Sequence, residues 1–162
     1  MTQTPNHIGD TIWYALALPA TNNKEGFEAL TWVEAVGHQT LPQFGITHAM
    51  IEVKDLKTGF TAASKGAAQG VDTTMAFRGI AGSTAQAALQ ETADDNDGEI
   101  SLKVVKGSGP KNAPATGDPV KYAQGILHSN QPNKGDDTTH EGFSVNFRQN
   151  DFTIEDVHPT VA

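Results

Sequence analysis

The sequence predicts a mainly β domain, an antiparallel sandwich or barrel with one flanking α-helix. Short apolar segments alternate with polar residues at a period of two along most of the chain, as expected when a strand has one apolar and one wet face. Glycine, proline and small polar residues separate these segments. Only one stretch, at about residues 83–93, combines helical spacing with a capping residue.

Composition limits the classes of function. The 162 residues fit one domain with a sizeable core. The absence of cysteine excludes disulfides and thiolate metal sites. With 11 basic and 19 acidic residues, the formal charge of -8 argues against gripping a nucleic-acid backbone, although nucleic acid could pass such a surface without binding. The N-terminal residues do not resemble a signal peptide and no apolar run could span a bilayer, so we expect cytoplasmic synthesis and no membrane partner.

We expect the chain to divide into a flexible arm, one β domain and a short tail. The arm comprises residues 1–10, the domain residues 11–156 and the tail residues 157–162. No internal repeat or interdomain linker interrupts the domain.

Four strands are predicted in the first half of the domain. Residues 11–18 are rich in β-branched and aromatic side chains, which favour strands. Residues 28–36 fit a helix or a strand, and we favour a strand because Gly37 ends the segment. Residues 45–56 and 71–80 both alternate apolar with polar positions.

A long loop is predicted between the third and fourth strands, at about residues 57–70. The segment consists mainly of glycine, alanine and other small residues, which offer few side chains to pack. Loops of this length in a compact domain are usually functional or disordered.

The predicted helix begins after Ser83, which serves as its N-cap. Gln86 stands three residues later and completes a capping-box pattern. The apolar stripe of the helix consists of Ala85, Ala88 and Leu89.

The C-terminal part predicts a strand at residues 99–106 and then two strands joined by a polar loop. The first strand of this pair places on one face Val120, Tyr122, Gln124 and Ile126. The second alternates apolar Phe143, Val145 and Phe147 with polar Ser144, Asn146 and Arg148. Phe152 and Ile154 indicate a last short strand.

No pattern predicts catalysis or metal binding. An acidic turn at residues 94–99 resembles a calcium loop, but placing Gly98 at its sixth position puts Ala93 and Val104 where carboxylates are required. The six histidines are scattered, and neither a nucleophile elbow nor a phosphate loop occurs. We therefore expect no enzyme activity, no catalytic residue, no metal and no cofactor.

The order of the segments resembles the major tail proteins, or tail tube proteins, of long-tailed bacteriophages, a lambda-like family related to the type VI secretion tube protein. The resemblance covers residues 11–152, and each motif is weak by itself. The segments that carry it are residues 52–56 (EVKDL), 65–66 (KG), 72–77 (DTTMAF), 99–105 (EISLKVV), 122–127 (YAQGIL) and 143–148 (FSVNFR).

The resemblance implies a β-sandwich whose subunits form hexameric rings, which stack into a hollow tube that conducts DNA during ejection. Residues 122–127 and 143–148 match the family's tube-wall strands, and residues 58–70 match its inter-ring loop. We expect this loop to become ordered only against a neighbouring ring. Its candidate contact residues are Thr58, Gly59, Phe60, Lys65, Gly66 and Gly70.

If the tube resemblance holds, strand alternation selects candidate lumen residues. Polar side chains that point away from a buried apolar face need water, which a closed ring supplies in its bore or outside. An acidic bore would repel phosphates and let DNA slide past. The candidates are Glu52, Lys54, Asp72, Thr74, Arg78, Ser144, Asn146 and Arg148.

The family implies that the protein binds copies of itself, a tape-measure protein, and tail-tip and terminator proteins, in a virion assembled in the host cytoplasm. DNA would pass without specific binding. The principal alternative is a β-sandwich module that binds carbohydrate or protein, and a small β enzyme is the other. A binding module needs exposed aromatic side chains, but the only Trp and Tyr residues lie in predicted strands: Trp13, Tyr14, Trp32 and Tyr122.

Overall fold

A computed structural model describes residues 6–158 and contains one seven-stranded antiparallel sheet, a separate two-stranded hairpin and two short helices. The fold is sandwich-like and not a closed barrel, which confirms the predicted fold class. Within residues 6–158, no helix is long and apolar enough to cross a membrane. The elements are β1 (Asp10–Ala15), α1 (Lys24–Glu28), β2 (Val33–Glu34), β3 (Ile46–Asp55), β4 (Phe60–Gly70), β5 (Asp72–Arg78), α2 (Thr84–Asp94), β6 (Glu99–Lys106), a 3-10 turn (Pro110–Asn112), β7 (Pro119–Pro132), β8 (Gly142–Gln149) and β9 (Ile154–Val157).

The large sheet has the strand order β2-β1-β6-β7-β8-β5, and every pairing is antiparallel. The long strand β7 organises it. The first residues of β7 pair with β9, from Pro119 opposite Val157, and its later residues pair with β8, from Gly125 opposite Gln149. The predicted C-terminal pair of strands is thus present, and the last short strand adds to the same edge of β7.

The main core lies between α2 and one face of the sheet. Ser83 caps α2 as predicted, because its hydroxyl accepts the Gln86 N–H at 3.4 Å. Leu89 and Ala93 carry the buried side of the helix. The buried core consists of Ile12, Tyr14, Ala35, Met75, Phe77, Leu89, Ala93, Ile100, Leu102, Ala123, Leu127, Phe143, Val145 and Phe147.

Gln86 is a buried polar residue that joins α2 to the end of β5. Its side-chain oxygen accepts the Ile80 N–H at 3.0 Å. Its amide nitrogen donates to the carbonyls of Val36 and Arg78, at 3.0 and 2.7 Å. These three bonds satisfy an amide that would otherwise be costly to bury.

A smaller core covers the opposite face of the sheet. It contains Phe27 from α1 together with Val105, Val120 and Tyr122 from β6 and β7. The prediction of a single strand over residues 28–36 is wrong except at Val33–Glu34. Glu28 ends α1, and the other residues of this range are not in a strand. The overlooked local signal was Asn23, whose side chain accepts the Gly26 N–H at 2.8 Å and caps the helix.

The prediction of a long loop at residues 57–70 is also wrong. Phe60–Gly70 forms β4, which pairs with β3 from Asp55 opposite Phe60 to Ile46 opposite Gly70. Only residues 56–59 form the connecting turn, where Gly59 has a φ of +69° that favours glycine. Cross-strand hydrogen bonds to β3 hold this segment as a strand, although its small side chains by themselves did not predict an ordered structure.

A connecting segment, residues 33–45, spans from one edge of the large sheet to the other. Near its start, the Ala35 N–H donates to Ile12 in β1 at 2.8 Å. Near its end, the Gln39 N–H donates to Ala76 in β5, also at 2.8 Å. The segment therefore bonds backbone groups of β1 and β5, which would otherwise be open to pairing with another chain.

The ends of the predicted domain lie slightly beyond the expected bounds. Asp10 already belongs to β1 and Val157 to β9. Of the predicted arm, residues 6–10 contact β6: the Lys106 ammonium donates to the Asn6 carbonyl at 2.8 Å, and the Gly107 N–H donates to Gly9 at 3.0 Å. Residues 1–5 and 159–162 lie outside the described residues, and the flexibility of the arm stays a prediction.

Candidate assembly interface

The β3–β4 hairpin has one apolar face and one polar face. Directly paired residues of an antiparallel ladder share a face. The hairpin's apolar face comprises Ile51, Val53, Asp55, Phe60, Ala62 and Ser64. The polar face comprises Met50, Glu52, Lys54, Thr61, Ala63 and Lys65.

The apolar face is exposed to solvent. Val53 is 62% exposed and Phe60 is 73% exposed, while Leu56 in the adjoining turn is 98% exposed. No hydrophobic cluster of the described residues includes any of these side chains. A hairpin of two strands is marginally stable in water by itself, and contiguous exposed apolar side chains mark interaction sites. This face is therefore the strongest candidate for contact with another protein surface.

The root of the hairpin is fixed to the large sheet by Gln149, which sequence analysis did not identify. Its buried side chain accepts the Gly45 N–H at 3.2 Å and donates to the Thr153 hydroxyl at 2.7 Å. Gly70, at the end of β4, lies so close that an added Cβ would overlap the Gln149 carbonyl. The hairpin thus projects from a well-packed base.

The six residues predicted for an inter-ring loop are distributed along this hairpin. Thr58 and Gly59 lie in the turn, and Phe60 begins β4 on the apolar face. Lys65 lies on the polar face opposite Met50. Gly66 lies at a bulge, where an added Cβ would be 3.0 Å from the Ala49 carbonyl oxygen. Gly70 belongs to the root described above, so the six residues do not form one site.

The candidate lumen residues fall on two separate surfaces. Six of them share one face of the β5–β8 pair, opposite the buried apolar side chains: Asp72, Thr74, Arg78, Ser144, Asn146 and Arg148. Glu52 and Lys54 instead lie on the hairpin's polar face. Their selection assumed that Ile51 and Val53 face a core, which is wrong because both are more than half exposed.

The six residues form a polar surface, named here the β5–β8 polar face. The Thr74 hydroxyl donates to the Asn146 side chain at 2.9 Å. Asp72 lies opposite Arg148 and 3.2 Å from the His128 ring nitrogen Nε2. Arg148 also donates to the Gln69 side chain of β4 at 3.4 Å, which connects this face with the hairpin.

Lys103 is enclosed by both tryptophans, an arrangement that the sequence pattern did not reveal. Its ammonium lies 5.2 Å from the Trp13 ring centre and 5.0 Å from that of Trp32, and the residue is 8% exposed. Beside them, the Phe27 and Tyr122 rings stack at 5.0 Å. Because these aromatic side chains pack around a lysine, they do not form the flat exposed platform expected of a carbohydrate-binding module.

Burial lowers the pKa of Lys103 to about 8 from its ordinary 10.5. Between these two values the unfolded chain binds more protons than the folded protein, so stability should rise with pH. Burial, with smaller contributions from Asp156 and Glu28, raises the pKa of Tyr122 to about 12. Ionisation of that tyrosine in the unfolded chain should reverse the trend above about pH 10.

We expect replacement of Lys103 by methionine to remove this rise between pH 8 and 10. The rise in the free energy of unfolding that the variant loses should be about 1 kcal/mol. This is less than the full pKa shift corresponds to, because solvent screens part of the burial effect. Urea denaturation at pH 7 and pH 9.5 measures it. Tryptophan fluorescence of the folded protein should titrate near pH 8, and Lys134→Met, an exposed control, should leave both observations unchanged. An unaltered fluorescence titration in Lys103→Met would contradict the assignment.

The described residues contain no group of three or more His, Asp or Glu side chains arranged to hold a metal ion. The Asp118 carboxylate accepts the Ser108 hydroxyl at 2.5 Å and the Ala115 N–H at 2.7 Å, which lowers its pKa. These bonds close the loop before β7, so they have a structural explanation.

No protein-family model matches the sequence, and no curated protein matches it. The solved structures that are similar in fold include three from phage-like injection particles. One is the tube-terminating cap of the anti-feeding prophage, with a TM-score of 0.61 and 12% identity over 98% of this chain and 95% of that chain. Another is the sheath/tube terminator of the PVC extracellular contractile injection system in its extended state, with a TM-score of 0.61 and 10% identity over 96% and 98%.

The third is the PVC sheath–tube complex in the extended state, with a TM-score of 0.53 and 13% identity over 70% of this chain and 76% of that chain. At these identities the likeness shows the fold alone. It supports the predicted tail-tube-like fold, here shared with chains of contractile injection systems.

Proposed function

We propose that this protein is a structural subunit of the tail tube of a phage-like particle, in which copies form hexameric rings that stack around a channel. The observation that carries the proposal is the hairpin's apolar face, which is exposed on a two-stranded projection with a firmly packed root. Covering that face with another subunit would remove apolar surface from water and support the hairpin. The likeness in fold to chains of tube complexes agrees with this role.

The β5–β8 polar face is proposed to line the channel. It carries one carboxylate, Asp72, and two guanidinium groups, Arg78 and Arg148, on a protein with a formal charge of -8. With three charged side chains in all, this face lacks the dense cluster of basic residues that grips a nucleic-acid backbone, which is compatible with DNA passing along it. In a phage virion the further partners would be tape-measure, tail-tip and terminator proteins. This role requires neither catalysis nor a cofactor.

Electron microscopy of the concentrated protein tests the proposal. We expect rings or stacked tubes, with six subunits per ring in cross-section. A reconstruction would also locate the β5–β8 polar face, which should line the bore. A protein that stays monomeric at high concentration, even with an initiating tail-tip complex, would refute the tube role. Stacked rings with this face on the outer wall would refute only the channel assignment.

A second candidate is a terminal subunit that caps a tube instead of extending it. It is favoured by the coverage of the matched structures. The cap and the terminator align over at least 95% of both chains, against 70% and 76% for the sheath–tube complex. The same images separate the roles, because a tube subunit elongates at rising concentration whereas a cap stops at single rings.

A further inference from the structure

A buried carboxylate oxygen without a hydrogen-bond donor lies where α1 meets β9. The Asp156 side chain is 7% exposed and shares a face of β9 with Ile154, which packs against the smaller core. Its oxygen Oδ1 accepts the Val157 N–H at 2.8 Å and lies 3.5 Å from the Lys24 ammonium. The other oxygen, Oδ2, is buried and accepts no hydrogen bond from the described residues. A buried polar atom in this state is costly and requires an explanation.

The neighbouring acid is Glu28, the last residue of α1. Its carboxyl group lies within hydrogen-bonding reach of the Asp156 carboxyl group, and the two are named here the acid pair. Two ionised carboxylates repel each other, whereas a protonated Glu28 has an O–H group that it can donate to Asp156. One proton held between the two groups therefore supplies a donor and removes the repulsion.

A metal ion is a poorer occupant of this position than a proton. Within residues 6–158, no third His, Asp or Glu side chain joins the acid pair to make a metal-binding group. The Lys24 ammonium already places a positive charge beside Asp156 and would repel a second cation. A proton needs no further ligand, so it fits the two carboxyl groups as they stand.

The other charged groups around the acid pair favour retention of a proton. Lys24 and Glu25 lie on α1, and Tyr122 lies on β7. Glu155 lies on the opposite face of β9, where its register partner is Lys121. With both acids ionised, Lys24 would offset one of the negative charges and Glu25 would add another.

We propose that the acid pair shares a proton that holds α1 against β9 in mildly acidic solution, and that loss of this proton towards neutral pH loosens the contact. The consequence extends to the smaller core, because α1 supplies Phe27, whose ring stacks on Tyr122 with centres 5.0 Å apart. The Trp32 indole N–H also donates to the Phe27 carbonyl at 3.0 Å, which ties α1 to the same aromatic side chains. This switch operates within one chain and does not depend on the proposed function.

The pKa directions of the two acids agree with a shared proton. The hydrogen bond with Asp156, burial, and the charges of Asp156 and Glu25 raise the pKa of Glu28 above its ordinary 4.5. Burial alone would raise the pKa of Asp156, but its hydrogen bonds with Val157 and Glu28 and a nearby ammonium lower it below the ordinary 3.8. Glu28 therefore adds stability that is present below pH 4.5 and is lost as the pH rises through its raised pKa. Asp156 adds stability that is present above pH 3.8 and is lost on acidification.

Hydrogen exchange of the dilute protein tests the switch. After correction for intrinsic exchange rates, protection of the α1 and β9 amides should fall about threefold from about pH 4.5 to about pH 7.5, less than the tenfold of one pKa unit because Glu28 is exposed. In Glu28→Gln, the side-chain amide donates to Asp156 at both pH values. Protection at the higher pH should therefore rise about threefold, and this pH dependence should disappear.

The matched control is Glu155→Gln, which removes the same charge from the opposite face of β9. It should keep the pH dependence of the natural protein. Unchanged pH dependence in Glu28→Gln, or an equal change in both variants, would overturn the shared proton.

Carbon-13 NMR of the Glu28 carboxyl group gives an independent check. In the natural protein this group should titrate above pH 4.5, and Asp156→Asn should return its midpoint towards that value. A midpoint that Asp156→Asn leaves unchanged would show that the two carboxyl groups do not share the proton.

Discussion

Replacing Val53 with aspartate should abolish assembly at concentrations where the natural protein forms rings or tubes, while leaving the monomer folded. The Val53 side chain is largely exposed in the monomer, so the substitution disturbs no core. In an assembled particle it would bury an unpaired carboxylate, at a cost of about 3–5 kcal/mol. Each 1.4 kcal/mol is a factor of ten, so the required concentration should rise about 100-fold or more. Sedimentation and electron microscopy would measure it.

The matched control is Thr61→Asp on the opposite face of the same hairpin. It introduces the same charge, opposite Lys54, and should leave assembly nearly unchanged. Equal loss of assembly in both variants would indicate a general effect of charge on the hairpin. Unchanged assembly in Val53→Asp would show that the apolar face is not an interface.

Replacing Phe77 with alanine should have the largest effect on folding. Phe77 is 0% exposed in the main core and stacks on Phe143 with ring centres 5.1 Å apart. Truncating such a side chain loses its transfer free energy and leaves a cavity, which typically costs about 3–5 kcal/mol. That is a large part of the 5–15 kcal/mol of a typical domain. Urea denaturation followed by circular dichroism would show it as a lower midpoint.

Phe60→Ala makes the same chemical change at an exposed site. It should alter the free energy of unfolding of the monomer by about 0.5 kcal/mol or less, yet weaken assembly. The two phenylalanine variants therefore separate a residue that holds the fold from one that holds a partner. A strong loss of monomer stability in Phe60→Ala would mean that the hairpin packs within its own chain.

Local sequence signals determined much of the large sheet and its helix. The alternation in β5 and β8 predicted which side chains are buried, because adjacent strand residues point to opposite faces. The Ser83 and Gln86 pattern located the start of α2, since a cap acts within one turn of the chain. Both signals depend on neighbours in sequence, and both predictions are confirmed.

Pairing across the chain decided what local signals could not. The glycine and alanine residues of β4 became a strand because β3 supplies their hydrogen-bond partners, and the same pairing moved Glu52 and Lys54 away from the sheet that carries Asp72. The sequence offered two clues to this hairpin. Asp55 favours a turn, and its side chain accepts the Lys57 N–H at 2.9 Å. Larger and smaller side chains then alternate again from Phe60.

The sequence by itself determined the antiparallel β class, the capped helix and the absence of disulfides, since alternation, capping and cysteine count are properties of the chain read locally. Only the tertiary structure decided that Lys103 lies between Trp13 and Trp32, that Gln149 anchors the hairpin, and that the hairpin's apolar face is exposed. These features join residues far apart in sequence, whose distances are fixed by strand register and packing and not by neighbouring residues.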